Sequence, residues 1–231
     1  MFSRFLPLLA AALLALSACT QTDTRDYAAP ERGDPEYLKG KNTRADQLYV
    51  STDVEPGGRD FRNVYIAPAD LSKLLIIQPE GVKADEGWQV SDIENSHLQQ
   101  AIVKEFTATL GFESAYNVVP TREQAEIIVH TTVVAIHPNA TRSQVEAGAE
   151  EGGAITASIA LINAGTGAVM VRSVDTKSSD QIWAFHQVGN DDPAVNLIFR
   201  SRVNSIRRGM LQLQGRSDDP LSAPVLLKEQ K

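Results

Sequence analysis

The chain has little of what many functional sites are built from. Cys19 is the single cysteine among 231 residues, so no intrachain disulfide, cysteine-rich zinc site or CxxC redox pair can form. Aromatic residues make up only 6%, although 42% hydrophobic and 22% charged residues still describe an ordinary globular protein with one domain and tails. Basic residues are outnumbered, 22 against 29 acidic ones, which gives a net charge of −7. This balance argues against a nucleic-acid partner bound through a general positive field.

Long apolar runs are also scarce, and the run that bears on the location of the protein lies near the start of the sequence. Residues 5–16 (FLPLLAAALLAL) follow Arg4 and are interrupted only by Pro7. A transmembrane helix needs about 20 apolar residues, so this run predicts the core of a signal peptide instead of a permanent span. Leu16, Ser17, Ala18 and Cys19 then form the signal-peptidase motif.

These four residues resemble the lipobox of bacterial lipoproteins. The resemblance implies cleavage before Cys19, a thioether-linked diacylglycerol on its sulfur and a third acyl chain on the new amino group. Several buried acyl chains, each worth about 0.8 kcal/mol per CH₂, would attach the protein to a bilayer. Thr20 follows, which in the enteric pattern implies the outer membrane, facing the periplasm. The alternative is an ordinary secreted protein in which Cys19 lies near an Ala-x-Ala-like cleavage site by chance.

The chain divides into four segments. Residues 1–18 are the predicted signal peptide, and their removal takes away Arg4 and leaves 21 basic and 29 acidic residues, a balance of −8. Residues 19–58 are predicted to be a lipidated N-terminus with a flexible tether, because the sequence is polar, of mixed charge and rich in proline and glycine. Residues 59–215 are predicted to form an α/β domain, and residues 216–231 a flexible tail.

Two helices and several strands are predicted within the domain. Ser91 to Glu94 match a capping box, and the apolar stripe that follows ends at Gly111, a predicted left-handed cap. A second helix is predicted to start at Asp191-Asp192-Pro193 and to run to about Gln214. Strands are predicted at residues 61–67, 116–119, 127–136, 155–161, 168–174 and 181–188, while residues 71–77 fit a strand or a helical turn. The sequence therefore predicts an α+β fold in two layers, with a mostly antiparallel sheet of five to six strands and two helices on one face.

The sequence contains no recognisable catalytic motif. GxSxG, P-loop, HExxH and GxGxxG motifs are all missing, and Gly165-Thr166-Gly167 reads as a hairpin turn. His130 and His137 are seven residues apart on one predicted strand, which would put them on opposite faces and deny them a shared metal ion. We therefore predict no catalytic residue, no metal site and no cofactor.

The last predicted helix has a marked charge asymmetry. Residues 193–214 contain four arginines and no acidic residue. Of these, Arg200, Arg207 and Arg208 are predicted to project away from the apolar stripe. Such a face is typical of a solvated helix whose positive charges are balanced by acidic neighbours and by the negative C-terminal end of the helix dipole. The alternative is a docking strip for an acidic partner or for lipid head groups.

The order of the motifs as a whole resembles a known family. A lipobox, a polar tether, VYIAP, the first long helix, YNVVPTREQAEIIVHTTVVAI, ASIALINAGTGAVMVRSVD and a final helix are similar to the bacterial lipoprotein family known as domain of unknown function 3313 (DUF3313). The likeness covers residues 60–214. It implies an envelope lipoprotein with a compact α/β domain, and it implies no catalytic residues.

Two hypotheses of function follow. The first is a non-enzymatic lipoprotein of the outer membrane whose periplasmic domain binds a protein partner or another envelope component. The second is a periplasmic hydrolase or small-ligand-binding protein with a site of dispersed residues such as His130, Asp175 and His186. A polar pocket that gathers these three side chains would favour the second hypothesis.

Overall fold

The fold was analysed in a computed structural model of the full chain. It describes residues 37–39, 45–54, 60–83, 87–149, 152–182 and 193–216. Cys19 and the rest of the predicted signal-peptidase motif, His186, the caps predicted at residues 191 and 192, and most of the predicted tail, from residue 217 onward, lie outside these ranges. Most of the strand predicted at residues 181–188 lies outside them as well, and Gln181 and Ile182 are part of a turn.

Among the described residues, eight strands and three α-helices form the domain. The elements in chain order are β1 (Tyr37–Lys39), β2 (Gln47–Ser51), β3 (Asn63–Ile66), β4 (Leu75–Ile76), α1 (Asp92–Gly111), β5 (Asn117–Val118), β6 (Ile127–Pro138), α2 (Arg142–Glu146), β7 (Gly153–Asn163), β8 (Val169–Ser179) and α3 (Pro193–Leu213). The predicted α+β class is confirmed. The sheet has more strands than expected, because the short strands β1, β2 and β4 complete its edges.

The strands belong to one mixed sheet in the order β1-β2-β8-β7-β6-β3-β5, with β4 beside the second half of β6. The long neighbours β6, β7 and β8 are antiparallel, as are β1, β2 and β8, whereas β3 and β4 run parallel to β6. Residues 163–168 close the predicted hairpin between β7 and β8, with Gly167 in the left-handed region at φ 74°. Its turn thus uses the conformational freedom of glycine where a positive φ is needed.

The two long helices pack on one face of the sheet, as predicted. From α1, Leu98, Ile102 and Phe106 enter the hydrophobic core, and Phe199 and Val203 of α3 join them. The strand residues in this core alternate along β6 and β7 and include Val129, Val133, Ile155, Ile159 and Leu161. We call this side of the sheet the helix face and the opposite side the outer face.

The start of α1 agrees with the sequence, whereas its end does not. Ser91 accepts a hydrogen bond from the Glu94 backbone N–H at 3.3 Å, and the Glu94 carboxylate accepts one from the Ser91 N–H at 2.6 Å, which confirms the capping box. The predicted left-handed cap at Gly111 is wrong, since its φ is −76°. Glu113 and Ser114 instead take positive φ values of 50° and 57°. The chain therefore turns two residues later than the glycine suggests.

The chain between β6 and β7 contains a short helix, α2. Thr141 and Gln144 form a second capping box at the start of α2. The Arg142 guanidinium lies 4.7 Å from the ring centre of buried Trp88 and donates a hydrogen bond to Glu94 at 2.6 Å. The hydrogen bond to Glu94 therefore joins this segment to the first turn of α1.

Candidate functional site

The predicted basic strip of α3 is mostly engaged within the domain. The Arg200 guanidinium donates two hydrogen bonds to the buried carboxylate of Glu105 on α1, at 2.9 and 3.1 Å. Arg208 is half-buried and donates to the Ser205 hydroxyl at 3.3 Å. These contacts leave Arg200 and Arg208 near the surface, but they do not form a continuous basic stripe with Arg207.

Arg207 corrects the sequence prediction directly. It is 1% exposed and does not project away from the apolar stripe. Its Nη1 atom donates hydrogen bonds to the backbone carbonyls of Thr109 at 2.7 Å and Phe112 at 2.8 Å, and its guanidinium lies 5.7 Å from the Phe112 ring centre. A charged donor between two carbonyls at the C-terminal end of α1 takes the place of the glycine cap.

Arg202, the fourth arginine of this helix, is also buried, at 2% exposure. Its Nη2 atom donates hydrogen bonds to the carbonyls of Ile155 and Asp175, the second at 3.0 Å. Burial lowers the pKa of Arg202 to about 10, while the negative charges of Asp175 and Asp46 oppose that shift. The side chain therefore stays protonated at neutral pH and joins the middle of α3 to β7 and β8.

Asp175 lies beside this arginine on the helix face, directly opposite Ala157 of the core strand β7. Its carboxylate accepts a hydrogen bond from Lys177 Nζ at 2.9 Å. Burial raises the pKa of Asp175, although the neighbouring cations Lys177 and Arg202 act in the other direction. The resulting group of charges sits between a helix and the sheet and is typical of a packing contact.

His130 lies on the other side of the sheet. His130 on β6 pairs with Ala160 on β7. Ala160 pairs with Arg172 on β8, and Arg172 pairs with Tyr49 on β2. All of these residues point to the outer face, since directly paired residues share a face. The structure therefore separates His130 from Asp175, and His186 is outside the described residues. The dispersed site suggested by the sequence is not assembled from the first two.

His137 requires a second correction, because a β-bulge interrupts β6 between Val133 and Ala135. The extra residue shifts the alternation of side chains, so His137, opposite Ala154, points to the same face as His130. At about 3.3 Å per residue the two rings are still some 20 Å apart, too far to share a metal ion. Burial lowers the pKa of His137. Among the described residues, no three His, Cys, Asp or Glu side chains are grouped so as to hold a metal ion.

The outer face carries the arrangement best suited to recognition. Across β2, β8, β7 and β6, the row Tyr49, Arg172, Ala160 and His130 spans about 14 Å, from three strand spacings of about 4.8 Å. Thr132 and Ser158 pair directly in the next row. Apart from Ala160, which is buried, these side chains are half-buried. We refer to Tyr49, Tyr65, His130, Thr132, Ser158 and Arg172 as the polar row set.

Charge and hydrogen bonding distinguish the polar row set from the helix face. Tyr65, opposite Ile128, and His130 make no side-chain hydrogen bond with the described residues. The outer-face positions of the described strands include Arg172 and no carboxylate, and Asp70 stands at their edge through a bridge to Thr132. A hydrogen bond from Ser72 lowers the pKa of Asp70, and the nearby His130 adds to the effect. The signal in the sequence for this surface is the small, polar alternate positions of β7.

No helix among the described residues is long and apolar enough to cross a membrane. No family model and no curated protein matches the chain, so membership of the DUF3313 family stays a prediction.

Several solved structures are distantly similar to this chain. A PelC dodecamer from Paraburkholderia phytofirmans is 13% identical, with a TM-score of 0.39 over 70% of this chain and 95% of that one. The lipoprotein GNA1162 from Neisseria meningitidis is 10% identical, with a TM-score of 0.32 over 63% and 97% of the two chains. A DUF4136 family protein from Bacteroides thetaiotaomicron is 12% identical, with a TM-score of 0.32 over 78% and 98%. The similar structures thus include a bacterial lipoprotein, and at these TM-scores they assign neither a family nor a function.

Proposed function

We propose that this protein is a lipid-anchored lipoprotein of the bacterial envelope whose α+β domain binds a protein partner in the periplasm and catalyses no reaction. The anchor is the acylated Cys19 of the lipobox-like sequence, and the membrane is the outer membrane of a Gram-negative cell. The proposal of lipidation rests on the sequence pattern: an apolar leader of signal-peptide length, small residues before the cysteine and a polar segment after it.

The observation that carries the binding role is the polar row set on the outer face. Two tyrosines, an arginine and a histidine stand half-buried on adjacent strands, on the side of the sheet opposite the long helices. Tyrosine and arginine are among the residues most enriched at the energetic centres of protein interfaces. Their hydroxyl and guanidinium groups are donors that suit a partner surface with carboxylate and backbone carbonyl groups.

Photo-crosslinking in intact cells tests the partner. A photoreactive side chain at Tyr65 should give a protein adduct that mass spectrometry identifies, whereas the same group at Val103 should not, because Val103 lies on the exposed side of α1. The combined substitution Arg172→Ala and His130→Ala should reduce the Tyr65 adduct at least about tenfold. Adducts of equal yield at both positions, or an adduct that contains glycan and no protein, would contradict the proposed partner.

Fractionation tests the anchor independently. The Cys19→Ser variant has no thiol to acylate, so it should leave the membrane fraction and lose the mass of its acyl groups. A variant that stays membrane-bound, or a wild-type protein whose mass shows no lipid, would refute the anchor. The crosslinking result does not depend on this outcome, since the polar row set belongs to the folded domain.

A further inference from the structure

The contact between α3 and the sheet contains buried donors that have no acceptor. Arg202 is buried, and its Nη2 atom donates hydrogen bonds to the carbonyls of Ile155 and Asp175. Its Nε and Nη1 atoms are buried as well, and neither has a hydrogen-bond partner among the described residues. Two N–H groups of a charged side chain are therefore left over in the interior of the domain.

The carboxylate of Asp175 supplies an acceptor at the same contact. It stands on the helix face of β8, against which α3 packs, and its Oδ2 atom lies 2.9 Å from Lys177 Nζ. Its Oδ1 atom is buried and has no hydrogen-bond partner within the part of the chain that the structure describes. Because the backbone carbonyl of Asp175 accepts from Arg202 at 3.0 Å, the unpartnered donors and the unpartnered acceptor belong to two residues in direct contact.

Polar atoms of this kind are rarely left without a partner in folded proteins. About nine in ten buried polar groups have a hydrogen bond, and leaving a charged group without one costs more than leaving a neutral one. The two side chains also act on each other electrically: burial lowers the pKa of Arg202 to about 10, and the negative charge of Asp175 opposes this shift. The contact therefore needs a small group that both accepts and donates hydrogen bonds.

The charges at the contact disfavour an ion as this group. The Arg202 guanidinium would repel a cation, and the Asp175 carboxylate would repel an anion. Water is neutral, accepts hydrogen bonds from guanidinium N–H groups and donates them to carboxylate oxygens. A buried water molecule makes about three hydrogen bonds, and three atoms are unpartnered here: Nε and Nη1 of Arg202 and Oδ1 of Asp175.

We infer that Arg202 and Asp175 form a buried water site between α3 and β8, in which water accepts from the Arg202 Nε–H and Nη1–H groups and donates to Asp175 Oδ1. The Nη2 atom of the same arginine reaches β7 through the Ile155 carbonyl. One arginine thus joins the middle of α3 to two strands, directly and through water. The site does not depend on the proposed binding role, because Asp175 lies on the helix face and the polar row set on the outer face.

Nuclear magnetic resonance of the full-length protein in detergent micelles tests the site without a substitution. With ¹⁵N-labelled arginine side chains, the Arg202 Hε proton should show a cross-peak to water, with the opposite signs in NOE and ROE spectra that long-lived water gives. Arg207 is the matched control, because it is equally buried but its guanidinium bonds the carbonyls of Thr109 and Phe112. The Arg207 Hε proton should show no such cross-peak.

Exchangeable protons near the site need a control of their own, since they can relay magnetisation from water. The buried Ser173 lies two residues from Asp175 on the same face of β8, and the Lys177 ammonium contacts the Asp175 carboxylate. The Arg202 cross-peak should persist in Ser173→Ala and in Lys177→Met. A cross-peak that disappears in either variant would overturn the inference.

Relaxation dispersion of water ¹⁷O counts the long-lived waters independently. Arg202→Met should lose about one of them relative to the wild type, whereas Arg207→Met should lose none. Asp175→Leu removes the acceptor at similar volume and should show the same loss as Arg202→Met, so it serves if circular dichroism shows that Arg202→Met does not fold.

Two further results would overturn the inference. One is an equal number of long-lived waters in the wild type and in the folded variants of Arg202 and Asp175. The other is a direct bond between the two side chains, seen as a scalar coupling from Arg202 Nε to the Asp175 carboxylate carbon together with the absence of the water cross-peak.

Discussion

Replacing Arg207 with methionine tests whether this arginine caps α1 or belongs to a surface strip. Methionine keeps much of the side-chain length, but it removes the positive charge and both hydrogen bonds, to Thr109 O and Phe112 O. The Thr109 carbonyl contact is buried, and a buried carbonyl left without a donor costs about 1–3 kcal/mol. The Phe112 contact is only partly buried, so water replaces part of what is lost there.

Backbone strain does not add to the expected loss. Glu113 and Ser114 hold positive φ values directly after this contact, and this strain is a cost to the folded state with and without the arginine. We therefore expect Arg207→Met to lower the free energy of unfolding by about 1–3 kcal/mol. At about 2–4 °C per kcal/mol for a domain of this size, the Tm should fall by about 2–12 °C.

Urea unfolding followed by circular dichroism measures the change, with Arg208→Met as the matched control. Arg208 is half-buried and bonds the Ser205 hydroxyl, so its replacement should change the free energy by less than about 0.5 kcal/mol. Hydrogen exchange should also speed up at the end of α1 in the Arg207 variant alone. Equal stability of the two variants, or a loss below about 1 kcal/mol for Arg207→Met, would show that Arg207 does not cap the helix.

Three further predictions concern local packing and charge. Burial opposes ionisation of Glu94, but hydrogen bonds from Ser91 and Arg142 still lower its pKa from 4.5, so its stabilising effect is full above that value and is lost as the pH falls below it. Glu94→Gln should therefore destabilise the domain by about 1–3 kcal/mol at pH 7 and by clearly less at about pH 3, as measured by urea unfolding; an equal loss at both values would refute the charged role. Gly153→Ala should lower the free energy of unfolding by about 1–3 kcal/mol, because a Cβ there meets the His137 carbonyl and the Ile182 side chain, and unchanged stability would contradict that clash. Gly209→Ala has open space within 4 Å inside α3 and should raise stability by about 0.5–1 kcal/mol in thermal unfolding, whereas a loss would show an unforeseen contact.

Local patterns predicted the central elements of the fold well. The capping box at Ser91, the turn at Gly167 and the long run of β6 each combine propensity with a stop or start signal, and each is found in the structure. Short edge strands are harder to predict, because β2 pairs with β8, which is more than a hundred residues away, and β1 joins the sheet only through β2. Their sequence lies in a segment whose composition is typical of a linker.

Two predictions about the candidate site were wrong for the same reason. The sequence gives only the alternation of side chains along one strand, whereas the pairing with the neighbouring strand decides which face each side chain points to. One extra residue at the bulge beside Val133 moves His137 to the face of His130. Asp175 and His130 are separated for the same reason, since the pairing of β8 with β7 decides which of its residues point to the helices. The spacing of residues within one strand therefore cannot predict which side chains of different strands come together.

The charge asymmetry of α3 has a different explanation from the one its sequence suggests. Arg200 pairs with Glu105, Arg202 with carbonyls of the sheet, and Arg207 with carbonyls of α1. The acceptors of these cations thus lie on neighbouring elements, and one of them is the Glu105 carboxylate, while α3 itself contains no acidic residue. Reversing all three predicted strip residues, Arg200, Arg207 and Arg208, to glutamate would therefore disturb the fold before it tested any partner. The polar row set offers a cleaner test, because its half-buried side chains lie on the sheet face away from the two long helices.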